Sequence, residues 1–188
     1  MNTRTSGFTL IELMIALAIF AILVLLAGPL YADFMGNTQI RSAAENSLAG
    51  VRLAQTNAVQ NNRPAKFVID PTAAGGWAVY PYNDELASYA LVAVQTYSWN
   101  EGAPKTSVTL LPPGATTVTF DGLGRVAANG YPLVPDGTAS LTEVDVTNIN
   151  VSVGSRRNLH VQISAVGGTT ATKLCDPLVL APDPRSCS

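Results

Sequence analysis

The sequence has few of the side chains that enzymes use for catalysis, with a single histidine, His160, and two cysteines among 188 residues. It contains no nucleophile elbow, phosphate-binding loop or metal-ligand motif. Charged residues make up only 13% of the chain and the formal net charge is −2, which argues against a general nucleic-acid-binding surface. We therefore expect a protein that is not an enzyme and that needs no cofactor or metal, with His160 in a structural role.

Charge is absent from a long segment near the N-terminus, where the twenty residues from Leu13 to Ala32 carry no charged side chain. At 1.5 Å per residue, a helix of this length covers about 30 Å, the thickness of the hydrocarbon core of a bilayer. Within the leader, residues 1–7, the charged side chain is Arg4. A cation on that side places the N-terminus in the cytoplasm and predicts that the rest of the chain crosses the membrane.

Two simpler interpretations of this segment are a secretory signal peptide and a plain one-span anchor. A signal peptide is cleaved after small residues, and the best local candidate has Leu30 where a small residue belongs. Neither interpretation explains Glu12, since a carboxylate within a membrane helix costs roughly 2.5–3.5 kcal/mol on insertion scales. A carboxylate in this position therefore predicts a function and a partner of opposite charge.

The stretch SGFTLIELMIALAIFAIL, residues 6–23, closely resembles the class III signal of type IV pilins and of the pseudopilins of type II secretion. The resemblance implies that a prepilin peptidase cuts between Gly7 and Phe8 and then methylates the new amino group of Phe8. It also implies that Glu12 neutralises the N-terminal ammonium of a neighbouring subunit, and that Pro29 bends the helix. The pairing agrees with electrostatics, because a buried carboxylate is tolerated beside an opposite charge.

The helical pattern continues beyond the apolar segment, and Pro64 disfavours helix beyond about Gln60. We divide this part of the chain into a leader, residues 1–7, a membrane and assembly helix, residues 8–32, and an amphipathic continuation, residues 33–62. The continuation has an apolar stripe that predicts packing against the following domain. The stripe consists of Ile40, Ala44, Leu48, Val51, Ala54 and Ala58.

From Arg63 onward the apolar residues alternate, as is typical of β-strands, between turns rich in Gly, Pro and Asp. One long helix followed by short strands predicts an α+β fold. In this fold a long N-terminal transmembrane and amphipathic helix packs against a C-terminal antiparallel β-sheet domain, residues 63–188. The predicted strands cover residues 67–69, 77–80, 89–99, 107–111, 117–120, 142–146, 149–153 and 159–164.

Cys175 and Cys187 enclose a loop of thirteen residues. In a chain with an export signal, an even pair at this spacing predicts a disulfide and an oxidising compartment. Arg156 and Arg157, with Lys173, are the main concentration of cations. They partly resemble the arginines through which FimT-type minor pilins bind DNA, although an ordinary solvated turn is the simpler interpretation.

Residues 75–85, 117–126 and 156–175 resemble H-type pseudopilins and the FimT/FimU group of minor pilins. The resemblance implies a minor pilin that joins a type IV pilus, or its tip, and primes its assembly. The expected partners are other minor pilins or pseudopilins, the major pilin, the prepilin peptidase and the inner membrane, with the C-terminal domain in the periplasm before it enters the filament. Two alternatives stay open: an H-type pseudopilin of type II secretion, and a minor pilin that binds DNA in natural transformation.

Overall fold

The computed structural model describes residues 7, 9–72, 74–166 and 169–187. The leader residues 1–6 and the predicted methylation site Phe8 lie outside the described residues. One helix, α1, runs from Leu10 to Asn61, which confirms the predicted single helix to within two residues at each end. It ends where Asn62 adopts a left-handed conformation with φ of 47°, and Pro64 follows, which cannot donate a backbone hydrogen bond.

The first half of α1 lies outside the globular domain. From Leu10 to Phe34 its large apolar side chains are 53% to 77% exposed. This is the one helix in the described residues that is long and apolar enough to cross a membrane. The helix continues through Pro29, where the missing N–H removes one backbone hydrogen bond; the bend at Pro29 stays a prediction.

The second half of α1 packs against the sheets through the predicted stripe. All six stripe residues are buried, and Gly36 and Gly50 are buried beside them. A Cβ on Gly36 would lie 2.2 Å from Val151 Cγ2, and one on Gly50 would lie 2.7 Å from Phe67 Cε2. These two glycines therefore set how closely the helix backbone can approach the domain.

Within the described residues ten strands follow the helix in two antiparallel sheets. They are β1 Ala65–Asp70, β2 Gly76–Asn83, β3 Ser88–Tyr89, β4 Gln95–Ser98, β5 Ser107–Leu111, β6 Thr117–Phe120, β7 Val126–Ala127, β8 Glu143–Thr147, β9 Leu159–Val166 and β10 Thr169–Cys175. In the first sheet β1 lies between β2 and β6, β2 also pairs with β3 and β4, and β7 pairs with β6. The second sheet has the order β10-β9-β8-β5.

The hydrophobic core lies between α1 and the inward faces of both sheets. On the first sheet Phe67 pairs with Val79 and Ile69 pairs with Trp77, and all four side chains are buried. On the second sheet the inward side chains are mainly β-branched, Val144, Val146, Val161 and Ile163. The structure confirms the predicted α+β fold, with one long helix against antiparallel sheets.

Two strand predictions differ from the structure. The predicted strand at residues 149–153 is wrong: this segment is a loop, in which the Asn148 side chain accepts a hydrogen bond from the Asn150 amide (3.0 Å) and Val151 is buried. An Asn that bonds the backbone two residues later favours a turn. The predicted run at residues 89–99 is interrupted, since only β3 and β4 pair there, and the sequence did not predict β7 or β10.

We expect Gly50→Val to lower the free energy of unfolding of the full chain in detergent by roughly 1–3 kcal/mol, because the added side chain overlaps Phe67 and the Trp77 ring. The matched control is Ala49→Val, which places the same β-branched residue on the exposed face of the adjacent turn. Chemical denaturation followed by circular dichroism measures both variants. Equal loss of stability in the two variants would contradict the close packing at Gly50.

Candidate functional site

Glu12 lies in the first turn of the exposed half of α1. Its backbone amide donates a hydrogen bond to Thr9 Oγ1 (3.3 Å), and Thr followed three residues later by Glu is the spacing of a capping box. The Glu12 side chain is exposed and forms no ion pair with any other described residue. Gly7 is also exposed, with nothing within 4 Å of the position that a Cβ would take.

The surroundings of Glu12 are apolar on every side of the helix. Leu13, Met14 and Ile15 follow it directly, and each is more than half exposed. A carboxylate on such a helix requires a counter-charge from outside the chain once water is removed. The structure therefore offers a site for association, with one acidic group at the start of a long apolar surface.

A disulfide joins Cys175 and Cys187, with Cα atoms 5.1 Å apart, which confirms the predicted pair. Cys175 is the last residue of β10, at the edge of the second sheet. The Asp176 amide donates a hydrogen bond to the Arg185 carbonyl (2.8 Å) and so holds the two ends of the loop together. The chain-entropy model gives a link across a loop of this size about 3 kcal/mol of stability.

The three cations of the predicted DNA-contact group are not equivalent in the structure. The Arg156 Nη2 atom donates hydrogen bonds to the carbonyls of Val151 (3.0 Å) and Ile149 (3.3 Å), so this guanidinium holds a loop together. The Arg157 side chain is exposed. Lys173 lies on β10, in the other part of the second sheet. DNA contact by these side chains stays a prediction.

The structure brings His160 between two carboxylates that the sequence did not place beside it. His160 Nδ1 lies 2.8 Å from Glu143 Oε1, and Nε2 lies 3.3 Å from Asp145 Oδ1. The cause is the β8–β9 pairing, which sets Asp145 opposite His160. Gln162 also donates a hydrogen bond to Glu143 (3.1 Å). The alternation of Glu143 with Asp145 indicates that both side chains lie on one face of their strand. It does not indicate which strand pairs with that strand.

Burial raises the pKa of the Asp145 carboxyl, His160 opposes the rise and the Glu143 charge adds to it. Asp145 Oδ1 is buried and has no hydrogen-bond partner among the described residues. No group of three or more His, Cys, Asp or Glu residues in the described part of the chain is arranged to hold a metal ion. The three side chains form a close polar contact across two strands of the second sheet.

Two family models match the chain. The prokaryotic N-terminal methylation motif matches residues 2–28, which include Gly7, Phe8 and Glu12. The model described as type II transport protein GspH matches residues 43–167, which is most of the globular domain together with most of the buried part of α1.

Two similar proteins are fimbrial proteins. The chain is 30% identical over 141 residues to the type IV major fimbrial protein FimA of Dichelobacter nodosus, a match that covers 71% of this chain and 77% of FimA. It is 40% identical over 80 residues to the fimbrial protein EcpB of Eikenella corrodens, covering 35% of this chain. That match spans about half the length of EcpB, 50%.

A solved structure is also similar. The crystal structure of the type IV minor pilin FimU of Pseudomonas aeruginosa has 16% sequence identity and a TM-score of 0.46, and the likeness covers 74% of this chain and 92% of that chain.

We compare the free energy of unfolding of Asp145→Asn with that of the unmodified chain. We expect the difference to change in favour of the variant as pH rises from about 4 to 7. Asp145 binds its proton more tightly in the folded state than in the unfolded state, so the free energy of unfolding falls as pH rises above the ordinary Asp value of 3.8. The variant removes this loss. Thermal unfolding at a series of pH values measures the difference.

Asp183→Asn is the control of opposite sign. A hydrogen bond from the Arg185 side chain holds the pKa of Asp183 at about 2, so its charged form stabilises the fold above pH 4 and that contribution is lost as pH falls toward 2. The Asp183 variant is thus expected to lose stability relative to the unmodified chain at neutral pH. A difference between Asp145→Asn and the unmodified chain that does not change with pH would contradict the role of burial at Asp145.

Proposed function

The chain belongs to the type IV pilin and pseudopilin superfamily and, within it, to the GspH family, and from this premise we propose that it is a minor pilin of a type IV pilus. In this proposal it enters the filament, or its tip, and primes filament assembly. The observation that carries the proposal is the uncovered apolar half of α1 with Glu12 in its first turn. Within the described residues this half of α1 is not buried against the domain, so we take its partners to be the bilayer and the same helix of other subunits.

The similarity to FimA supports the pilus over the secretion machine, because it extends over most of this chain and most of that fimbrial protein. The disulfide supports a domain that reaches an oxidising compartment. We propose that the chain is first held in the inner membrane with the C-terminal domain in the periplasm. Its role is non-catalytic, with the sheets presenting a surface to other minor pilins and to the major pilin.

Processing is proposed to occur between Gly7 and Phe8, by a prepilin peptidase that then methylates the amino group of Phe8. The match of the N-terminal methylation motif to residues 2–28 supports this step. The structure is compatible with it, because Gly7 is exposed ahead of the helix start at Leu10. The mass of the mature chain, with its N-terminal sequence, checks both modifications.

Assembly is proposed to depend on one ion pair between subunits. Cleavage after Gly7 leaves an ammonium on Phe8, and the Glu12 carboxylate of a neighbouring chain neutralises it. In the apolar centre of a filament such a pair is strongly favoured over two separated charges, because an unpaired buried charge costs several kcal/mol. The pair also fixes the register of one helix against the next.

A pseudopilin of type II secretion is the second candidate, and the match to the GspH model over residues 43–167 favours it. The processing and pairing steps are the same in that case, so the two candidates differ only in the machine that the subunit joins. The third candidate is DNA binding in natural transformation. Its support is the exposed Arg157 alone, since Arg156 is engaged with two carbonyls of its own loop.

We expect Glu12→Gln to reach the membrane but to enter filaments poorly, because an uncharged amide cannot neutralise the neighbouring ammonium. The control is Glu45→Gln, which removes an exposed carboxylate paired with Arg41 (2.7 Å) outside the apolar segment. Immunoblots of sheared filaments and of membranes, compared within each strain, measure the partition. Unchanged incorporation of the Glu12 variant would exclude the pairing role.

Deletion of the gene is expected to abolish or greatly reduce piliation and twitching while protein secretion and transformation are scored in the same strain. Loss of secretion with normal pili would overturn the pilus assignment and support the pseudopilin. Loss of transformation with normal pili would support DNA binding. Complementation with the unmodified gene restores the phenotype and controls for effects on neighbouring genes.

A further inference from the structure

The loop of residues 148–157, which connects β8 to β9, is fastened to α1 next to the apolar segment. The Ser152 amide donates a hydrogen bond to Asp33 Oδ1 (3.0 Å), and the Arg157 amide donates one to Asn37 Oδ1 (3.0 Å). The Asn37 side chain in turn donates to the Ser155 carbonyl (2.8 Å). The Ser152 hydroxyl also donates to Asp33 Oδ1 (3.2 Å), and the Asn148 side chain donates to Gln39 Oε1 (3.3 Å). These hydrogen bonds hold the 148–157 loop against the helix.

Packing makes this attachment rigid. Val151 is buried and its Cγ2 occupies the space that a side chain on Gly36 would need. Arg156 closes the loop from inside through its bonds to the carbonyls of Ile149 and Val151. The loop therefore has a fixed position relative to α1.

Asp33 marks the end of the charge-free segment that spans the bilayer. Its pKa is lowered mainly by the hydrogen bond from the Ser152 amide. A charged carboxylate is much less costly in the polar layer than in the hydrocarbon core, so we place Asp33 at the boundary. A loop bonded to Asp33 and Asn37 and packed against Gly36 is within about 6 Å of that boundary along the helix axis, at a rise of 1.5 Å per residue. The 148–157 loop thus lies at the membrane surface whenever α1 spans the bilayer.

Two apolar side chains of this loop point away from the protein. Ile149 is 73% exposed and Val153 is 86% exposed, although Val151 between them is buried. Arg157 is exposed at the end of the loop and has no ion pair among the described residues. Apolar tips beside an unpaired cation are the combination that interfacial membrane contacts use.

Arg157 also lines a cavity of about 370 Å³ that opens beside the same turn of α1. Phe34, at the end of the apolar segment, forms part of its wall. Of the other charged residues there, Arg41 is paired with Glu45 and Arg185 is paired with Asp183, and Asp176 contributes one more carboxylate. Arg157 is therefore the cation of this wall that is available to an outside anion.

We propose that the 148–157 loop rests on the outer face of the bilayer before filament assembly, with Ile149 and Val153 inserted among the lipids and Arg157 bound to an anionic phospholipid headgroup. The contact fixes the depth and tilt at which the anchored subunit is presented to its neighbours. It requires only that α1 spans a membrane, so it holds equally for a pilus or a secretion subunit.

Tryptophan fluorescence in the full chain tests the insertion. Both native tryptophans, Trp77 and Trp99, are buried, so a tryptophan introduced by Val153→Trp reports its own surroundings. The protein is reconstituted at a high ratio of lipid to protein in vesicles of phosphatidylcholine and phosphatidylglycerol. Two kinds of vesicle are compared, with and without bromine on the acyl chains. We expect the added tryptophan to lose most of its emission in the brominated vesicles.

The matched control is Leu123→Trp. Leu123 is 69% exposed, but its turn contacts Asn62 at the other end of the domain helix, roughly 40 Å from Asp33 along the axis. Emission from Leu123→Trp is expected to be equal in both kinds of vesicle. Equal emission from Val153→Trp in the two kinds of vesicle would overturn the proposal. Emission from Val153→Trp that changes with protein concentration but not with bromine would also overturn it, since this indicates that the partner is a second copy of the chain.

Arg157→Gln tests the headgroup contact in the Val153→Trp background. We expect bromine quenching to increase with the fraction of phosphatidylglycerol and to decrease with added salt, because the attraction is electrostatic. Arg157→Gln is expected to abolish that increase while leaving the quenching seen in pure phosphatidylcholine. Quenching that is independent of phosphatidylglycerol in the unmodified Arg157 background would overturn the headgroup part of the proposal.

Discussion

The close approach of α1 to the two sheets determines how the rest of the domain is arranged. Glycine and alanine along the inward face let the helix backbone lie against Phe67 and the Trp77 ring, and let Val151 lie against Gly36. Larger residues on the sheets fill the space that the small helix residues leave, as dense core packing requires. Because one helix packs against both sheets, a shift of the helix away from them would displace the first sheet, the second sheet and the 148–157 loop together.

The same helix continues into an apolar segment that the domain does not cover. One continuous helix therefore connects the folded domain to the segment that enters the membrane. In the second half most inward residues are small, although Ile40, Leu48 and Val51 are also buried there. Most outward residues are polar, so the outer face is compatible with water. In the first half every face is apolar, so the segment requires lipid or other helices. The loop bonded to Asp33 and Asn37 meets α1 at the end of the apolar half, and it exposes Ile149 and Val153 there.

The helix and the strands with strict alternation could be predicted because their signals are local. Pro64 after the helix and the apolar stripe along it mark the end and the inward face of α1, and alternating apolar residues mark β1 and β8. The segment at residues 149–153 has the same alternation, yet it forms a loop, because the Asn148 side chain turns the backbone and Gly36 provides a place for Val151. The space beside Gly36 forms only when the loop packs against the helix. A local sequence pattern therefore cannot predict that Val151 is buried there.

By itself the sequence determined the long helix, its division at Asp33, the single carboxylate of the apolar half and the α+β class, because each depends on residues close together in the chain. The pairing of Cys175 with Cys187 was also predictable from their number and spacing. Tertiary structure alone decided that His160 lies between Glu143 and Asp145, that Arg156 is engaged while Arg157 is exposed, and that the 148–157 loop is bonded to α1 at Asp33 and Asn37. The first of these depends on strand register, the second on the way that one loop folds back on itself, and the third on contacts between residues more than a hundred positions apart. Short-range periodicity specifies none of them.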